Sequence, residues 1–132
     1  MKFRIQIAIE SEKGEPERVH EVARLERGTL KAEELGLTLA EAKSILGEIQ
    51  QAMVEQQVID FVAERDGCPH CGRNLTLKGK HEMVFRTAFG KLKLESPRFY
   101  NCRCQAVTGK SFSPLAELLQ ERTSPELLYL ET

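Results

Sequence analysis

Four cysteines are the residues in this 132-residue chain whose type and spacing could do chemistry. They stand as Cys68-Pro69-His70-Cys71, with Gly72 next, and then, thirty residues on, as Cys102-Arg103-Cys104. Cys-x-x-Cys has two opposite uses. In a thiol-disulfide enzyme the first cysteine sits where a strand enters a helix, so that the helix dipole lowers its pKa. In a metal knuckle a turn brings two thiolates together and leaves backbone N–H groups to bond the sulfurs. Here the pair follows a long helical pattern and precedes Gly72-Arg73-Asn74, a turn composition, and the redox reading leaves Cys102 and Cys104 unexplained. A structural Zn²⁺ held by Cys68, Cys71, Cys102 and Cys104 uses all four, in the closed tetrahedral manner of a zinc ribbon. The second pair, Cys-x-Cys, is tighter than the usual spacing. His70, between the first two cysteines, and His81, opening a later strand, are the weaker competing ligands. Such a closed site does no chemistry of its own; it holds a fold together.

Composition favours the same answer. Hydrophobic residues make up 41% of the chain and tryptophan is absent, so the core is thin and a cross-link helps it. No apolar run approaches the roughly 20 residues that span a bilayer. The N-terminal MKFRIQIAIE alternates in polarity and lacks the apolar core of a signal peptide. A cytoplasmic location is expected, where thiols stay reduced and clustered cysteines bind metal.

The net charge of −1 conceals a strong asymmetry. Residues 1–64 carry 8 basic against 13 acidic side chains, residues 65–110 carry 10 against 3, and residues 111–132 carry 1 against 4. Four thiolates on one Zn²⁺ would themselves bring a charge of −2, which some of these cations offset. The central segment remains basic after that correction. Its Lys78, Lys80, Arg86, Lys91, Lys93, Arg98 and Arg103 are candidate contacts to a nucleic-acid backbone, with Phe85, Phe89, Phe99 and Tyr100 among them. The plainer alternative is a solvated hairpin whose aromatics fill the core.

The elements that must position these residues follow from periodicity. Phe3, Ile5, Ile7 and Ile9 share one face of a predicted strand, the polar 11–17 is a loop, and 18–27 reads as a partner strand. Thr38-Leu39-Ala40-Glu41 is a capping box opening a helix that could run to about Arg65. Its apolar positions Leu39, Ala42, Leu46, Ile49 and Met53 suit either packing on a sheet or pairing with a second copy, so helix 39–65 is a candidate homodimer surface. Glutamines 50, 51, 56 and 57 argue against a regular coiled coil. Residues 83–95 alternate about Phe89-Gly90 as a hairpin, a third strand is predicted from Arg98 to Cys102, and Ser113-Pro114 and Ser124-Pro125 open two short helices. The fold class is α+β: an N-terminal β-hairpin with one long helix (1–65), a zinc-ribbon-like antiparallel β unit (66–110) and short C-terminal helices (111–132).

The stretches LGLTLAEAK (35–43), CPHCG (68–72), KGKH (78–81), RTAFGKLKLESPRFYNCRC (86–104) and SFSPLAELLQERTSPELLYLET (111–132) occur in an order that resembles the N-terminal region of bacterial insertion-sequence transposases of the Kra group. Arg86-Thr87-x-Phe89-Gly90 and Ser113-Pro114-Leu115 are the most specific parts; residues 1–34 are similar in pattern only. The resemblance implies a DNA-associated module that precedes an RNase-H-like catalytic domain lying beyond Thr132. On that reading this chain is truncated and not an enzyme by itself, and only the four cysteines carry over, as metal ligands. The alternative is a zinc-ribbon domain that binds protein, or dimerises, without touching DNA.

Overall fold

A computed structural model describes residues 1–104 and 110–131, which form two compact units, 1–53 and 54–132. The architecture is α+β. The boundary between the units falls within the long helix α1, Leu39–Ala63. Among the described residues, no helix is long and apolar enough to cross a membrane.

In the first unit, β1 (Lys2–Ile9) and β2 (Arg18–Glu26) form an antiparallel pair, with Phe3 opposite Leu25 and Ile5 opposite Ala23. Alternation puts Ile5, Ile7 and Ile9 half-buried on one face, as their period of two requires. The register shifts after Ile5, leaving Val22 as an extra residue on β2, and Val22 is buried. The capping box forms as its residue types dictate. Thr38 Oγ1 accepts from the N–H of Glu41 at 3.1 Å, and the Glu41 carboxylate accepts from the N–H of Thr38 at 2.9 Å. Arg27 adds a tie that spacing alone does not reveal: its guanidinium donates to Glu41 at 2.7 Å and to the Gly36 carbonyl at 2.9 Å. The Thr38 N–H, and then Arg27, hold the Glu41 carboxyl below the usual carboxylate range.

In the second unit, β3 (Leu77–Thr87) and β4 (Gly90–Tyr100) form the predicted hairpin. Thr87 Oγ1 donates to the Gly90 carbonyl and accepts from the Phe89 N–H, closing the turn. Gly90 has φ +124°, a conformation that a side chain strains. Leu92, Leu94 and Met83 project from the hairpin to pack with Leu115, and Val54, Val58, Phe85 and Leu119 complete this core. Two expectations are corrected. The strand predicted at 98–102 is no separate element, because β4 continues to Tyr100 without a break. The third strand is instead β5 (Ser111–Phe112), which pairs Phe112 with Phe99. The helix after Ser113-Pro114 also stops early. It spans Pro114–Leu118 (α2), and the chain beyond is drawn to the edge of β3, where the Arg86 N–H donates to Arg122 and Ser124 donates back to Arg86. Ser124 then caps α3, Pro125–Glu131. The Ser113 hydroxyl accepts from the Ala116 N–H and meets the fully buried Ser96 hydroxyl at 2.7 Å, fastening α2 to β4.

Candidate metal centre

Helix α1 ends where Arg65 folds back, its guanidinium donating to the Phe61 carbonyl and lying 3.7 Å from the centre of that ring. The chain that follows closes into a tight loop. Leu75 donates to Asp66 at 2.7 Å, Cys68 to Arg73 at 2.8 Å, and Gly72 to Cys68 at 2.9 Å. Gly72 adopts φ +75°, which allows the chain to reverse immediately after Cys71. This is the knuckle that Cys-x-x-Cys-Gly foretells.

The second pair is delivered by the hairpin. Tyr100, the last residue of β4, donates to Thr76, and Asn101 donates to Lys110 at 3.0 Å, so the loop bearing Cys102 and Cys104 is tied at its base. Residues 105–109, within that loop, lie outside the described residues.

The four sulfurs converge. Cys68 and Cys104 approach to 3.6 Å, Cys71 and Cys102 to 3.4 Å, and all four sulfurs lie within 4.8 Å of one another. A disulfide requires about 2.05 Å, so these are four separate thiols. A tetrahedron of sulfurs around one ion, with metal–sulfur bonds of about 2.3 Å, has edges of about 3.8 Å. The cluster therefore has the spacing to hold a metal ion. The geometry also favours the charge state that a ligand needs at one position. The N–H groups of Cys71 and His70 lower the Cys68 thiol to about 6, whereas hydrogen bonds with Cys102 and Cys68 push Cys104 up to about 12. Cys68 is buried, Cys71 and Cys104 are exposed. His70 is exposed, and His81 sits on β3 opposite Ser96; among the described residues the ligand group consists of the four cysteines.

The basic residues separate into groups. Opposed residues of an antiparallel pair share a face. Lys80, Arg86, Lys91 and Lys93 thus lie on the face of β3–β4 turned away from Met83, Leu92 and Leu94. Glu82 and Glu95 lie on that face too, and Lys80 pairs with Glu95 at 3.7 Å. Arg86 pairs with Glu131 of α3. Lys78 stands apart beside a register shift, its ammonium 5.8 Å from the centre of the Tyr100 ring. Arg98 donates to the Ser111 hydroxyl at 3.2 Å, and Arg103 is exposed in the turn between Cys102 and Cys104. The aromatics divide as well: Phe99 is buried against Phe112 and Phe85 joins the core, while Phe89 and Tyr100 are exposed.

A groove of about 880 Å³ runs beside the cysteine cluster, lined by Phe61, Pro69, Leu75, Phe112, Pro114 and Leu118. It has no signal in the sequence. Its walls come from the end of α1, the knuckle, β5 and α2, segments that no local pattern connects. Comparison of the chain with family models, curated proteins and solved structures found no match.

Proposed function

We propose that this chain is a zinc-stabilised module that associates with DNA, as the resemblance to the N-terminal region of Kra-group transposases implies. Zinc suits the site because an all-thiolate tetrahedron favours Zn²⁺ or iron, and zinc fills it with no redox chemistry. Cys68, Cys71, Cys102 and Cys104 would hold the ion, and with four protein ligands no position stays open for substrate. Its role is to fasten the knuckle to the end of the hairpin.

The observation that carries the DNA reading is the shared outer face of Lys80, Arg86, Lys91 and Lys93 on the β3–β4 hairpin. Alternation along β4 places Lys91 and Lys93 about 6.6–6.8 Å apart on that face. Titration with duplex DNA at two salt concentrations tests it. Affinity that falls steeply with salt supports phosphate contacts; weak binding with little salt dependence removes the reading.

A specific observation favours a second reading. Glu82, Glu95 and Glu131 offset part of the basic face, and the apolar groove beside the cluster resembles a protein-binding surface more than a phosphate track. On that reading the module binds protein through the groove and does not touch DNA.

A further inference from the structure

The first unit is built on a two-stranded sheet, and among the described residues no third strand joins it. An isolated two-stranded hairpin is marginal in water, and three or more strands sharing an apolar face are stable. The unit has little else to rely on: its buried hydrophobic residues are Val22, Ile45 and Ala52. The two outer edges of the sheet differ. β2 carries the extra residue Val22, and a bulge of this kind blunts an edge against pairing. β1 runs uninterrupted from Lys2 to Ile9, with neither glycine nor proline. Its outer edge offers unpaired backbone groups to any strand of matching pattern.

The strand best matched to β1 is β1 itself. Antiparallel pairing of two copies about Gln6 places Phe3 opposite Ile9 and Ile5 opposite Ile7, each pair occurring twice by symmetry. The same register sets Lys2 opposite Glu10, again twice, and Gln6 opposite Gln6. Shifting it by one residue in either direction puts apolar side chains opposite polar ones. We propose that the outer edge of β1 is a self-association surface. Two copies join there to make one four-stranded sheet in the order β2-β1-β1-β2, with Phe3, Ile5, Ile7 and Ile9 of both chains as a continuous apolar face. This surface shares no residue with the cysteine cluster, and it competes with helix α1 as the route to a dimer.

Charge reversal tests the register. In sedimentation of the full chain, Lys2→Glu and Glu10→Lys each raise the dimer dissociation constant about tenfold, because two attractive contacts become two repulsive ones. An equimolar mixture of the two single variants restores the parent affinity. In the mixed pair each of the two contacts again joins one acidic and one basic side chain. Lys2 also pairs with Glu26 within its own sheet, but mixing chains cannot repair an intrachain defect. Leu46→Glu, on an exposed position of α1, leaves the dimer intact. The proposal is overturned by a chain that stays monomeric at roughly 100 μM, above the range of stable dimers. It is equally overturned by reversals that change nothing, by a mixture that fails to restore association, or by a dimer that Leu46→Glu abolishes.

Discussion

The sulfurs of Cys71 and Cys102 stand 3.4 Å apart although the residues lie 31 positions apart in the chain, and the whole β3–β4 hairpin lies in the interval. Closing so long a loop costs chain entropy before any contact rewards it. A metal–thiolate bond is strong enough to offset that cost, so an ion held by this cluster would bind and order residues 68–104 in one event.

Cys71→Ala therefore removes both. Structural zinc in small domains contributes binding energy on the order of 10 kcal/mol, and losing one thiolate forfeits much of it. Protein purified without added zinc should carry about one zinc per chain in the parent and far less in the variant, with the amide resonances of 67–104 losing dispersion. Stoichiometric metal and an unchanged melting profile in the variant would refute the site.

Replacing Lys91 and Lys93 by glutamine tests the proposed DNA contact without touching the core. If both contact phosphates, the slope of log affinity against log salt becomes shallower by about 2. A variant that binds duplex DNA with the parent's slope places the contacts elsewhere.

Glu41 makes the first unit sensitive to acid. Its carboxyl lies below the usual range because the Thr38 N–H and the Arg27 guanidinium stabilise the ionised form. Its contribution is accordingly complete above the ordinary carboxylate range and is lost as pH falls through the depressed value. Glu41→Gln should flatten acid destabilisation of the start of α1, followed by hydrogen exchange. Thr38→Ala, which removes the reciprocal cap, should cost about 1 kcal/mol at neutral pH.

Ser96 is fully buried, and its hydroxyl is satisfied by that of Ser113. Ser96→Ala strips one partner and leaves a buried hydroxyl short of a hydrogen bond, a loss of about 1–3 kcal/mol. Chemical denaturation should show a lower midpoint with an unchanged slope. A midpoint within error of the parent's would mean that Ser113 finds another partner.

How much of this was legible beforehand varies from residue to residue, for physical reasons. The capping box at Thr38–Glu41 was readable because its hydrogen bonds join residues three apart. The hairpin turn at Phe89-Gly90 and the serine caps at Ser113 and Ser124 were readable on the same grounds. The strand predicted at 98–102 failed because no residue there ends a strand; Pro97 has no N–H to donate, yet β4 runs straight through it. β5 was invisible because two residues carry no periodicity, and only the pairing with Phe99 and Tyr100 makes them a strand. The basic residues were visible as a count, but their neighbours Glu82, Glu95 and Glu131 were not visible as neighbours.

By itself, then, the order of amino acids settled the strands and caps built from bonds of short reach, and the presence of four cysteines in two knuckle-like pairs. The meeting of those pairs, with Cys68 against Cys104 and Cys71 against Cys102, was decided only by the folded chain. So were the acidic residues on the basic face and the groove beside the sulfurs. Alternation and capping depend on residues a few positions apart and are written locally. Convergence across thirty residues depends on the register of β3 against β4, and register is a property of two strands together.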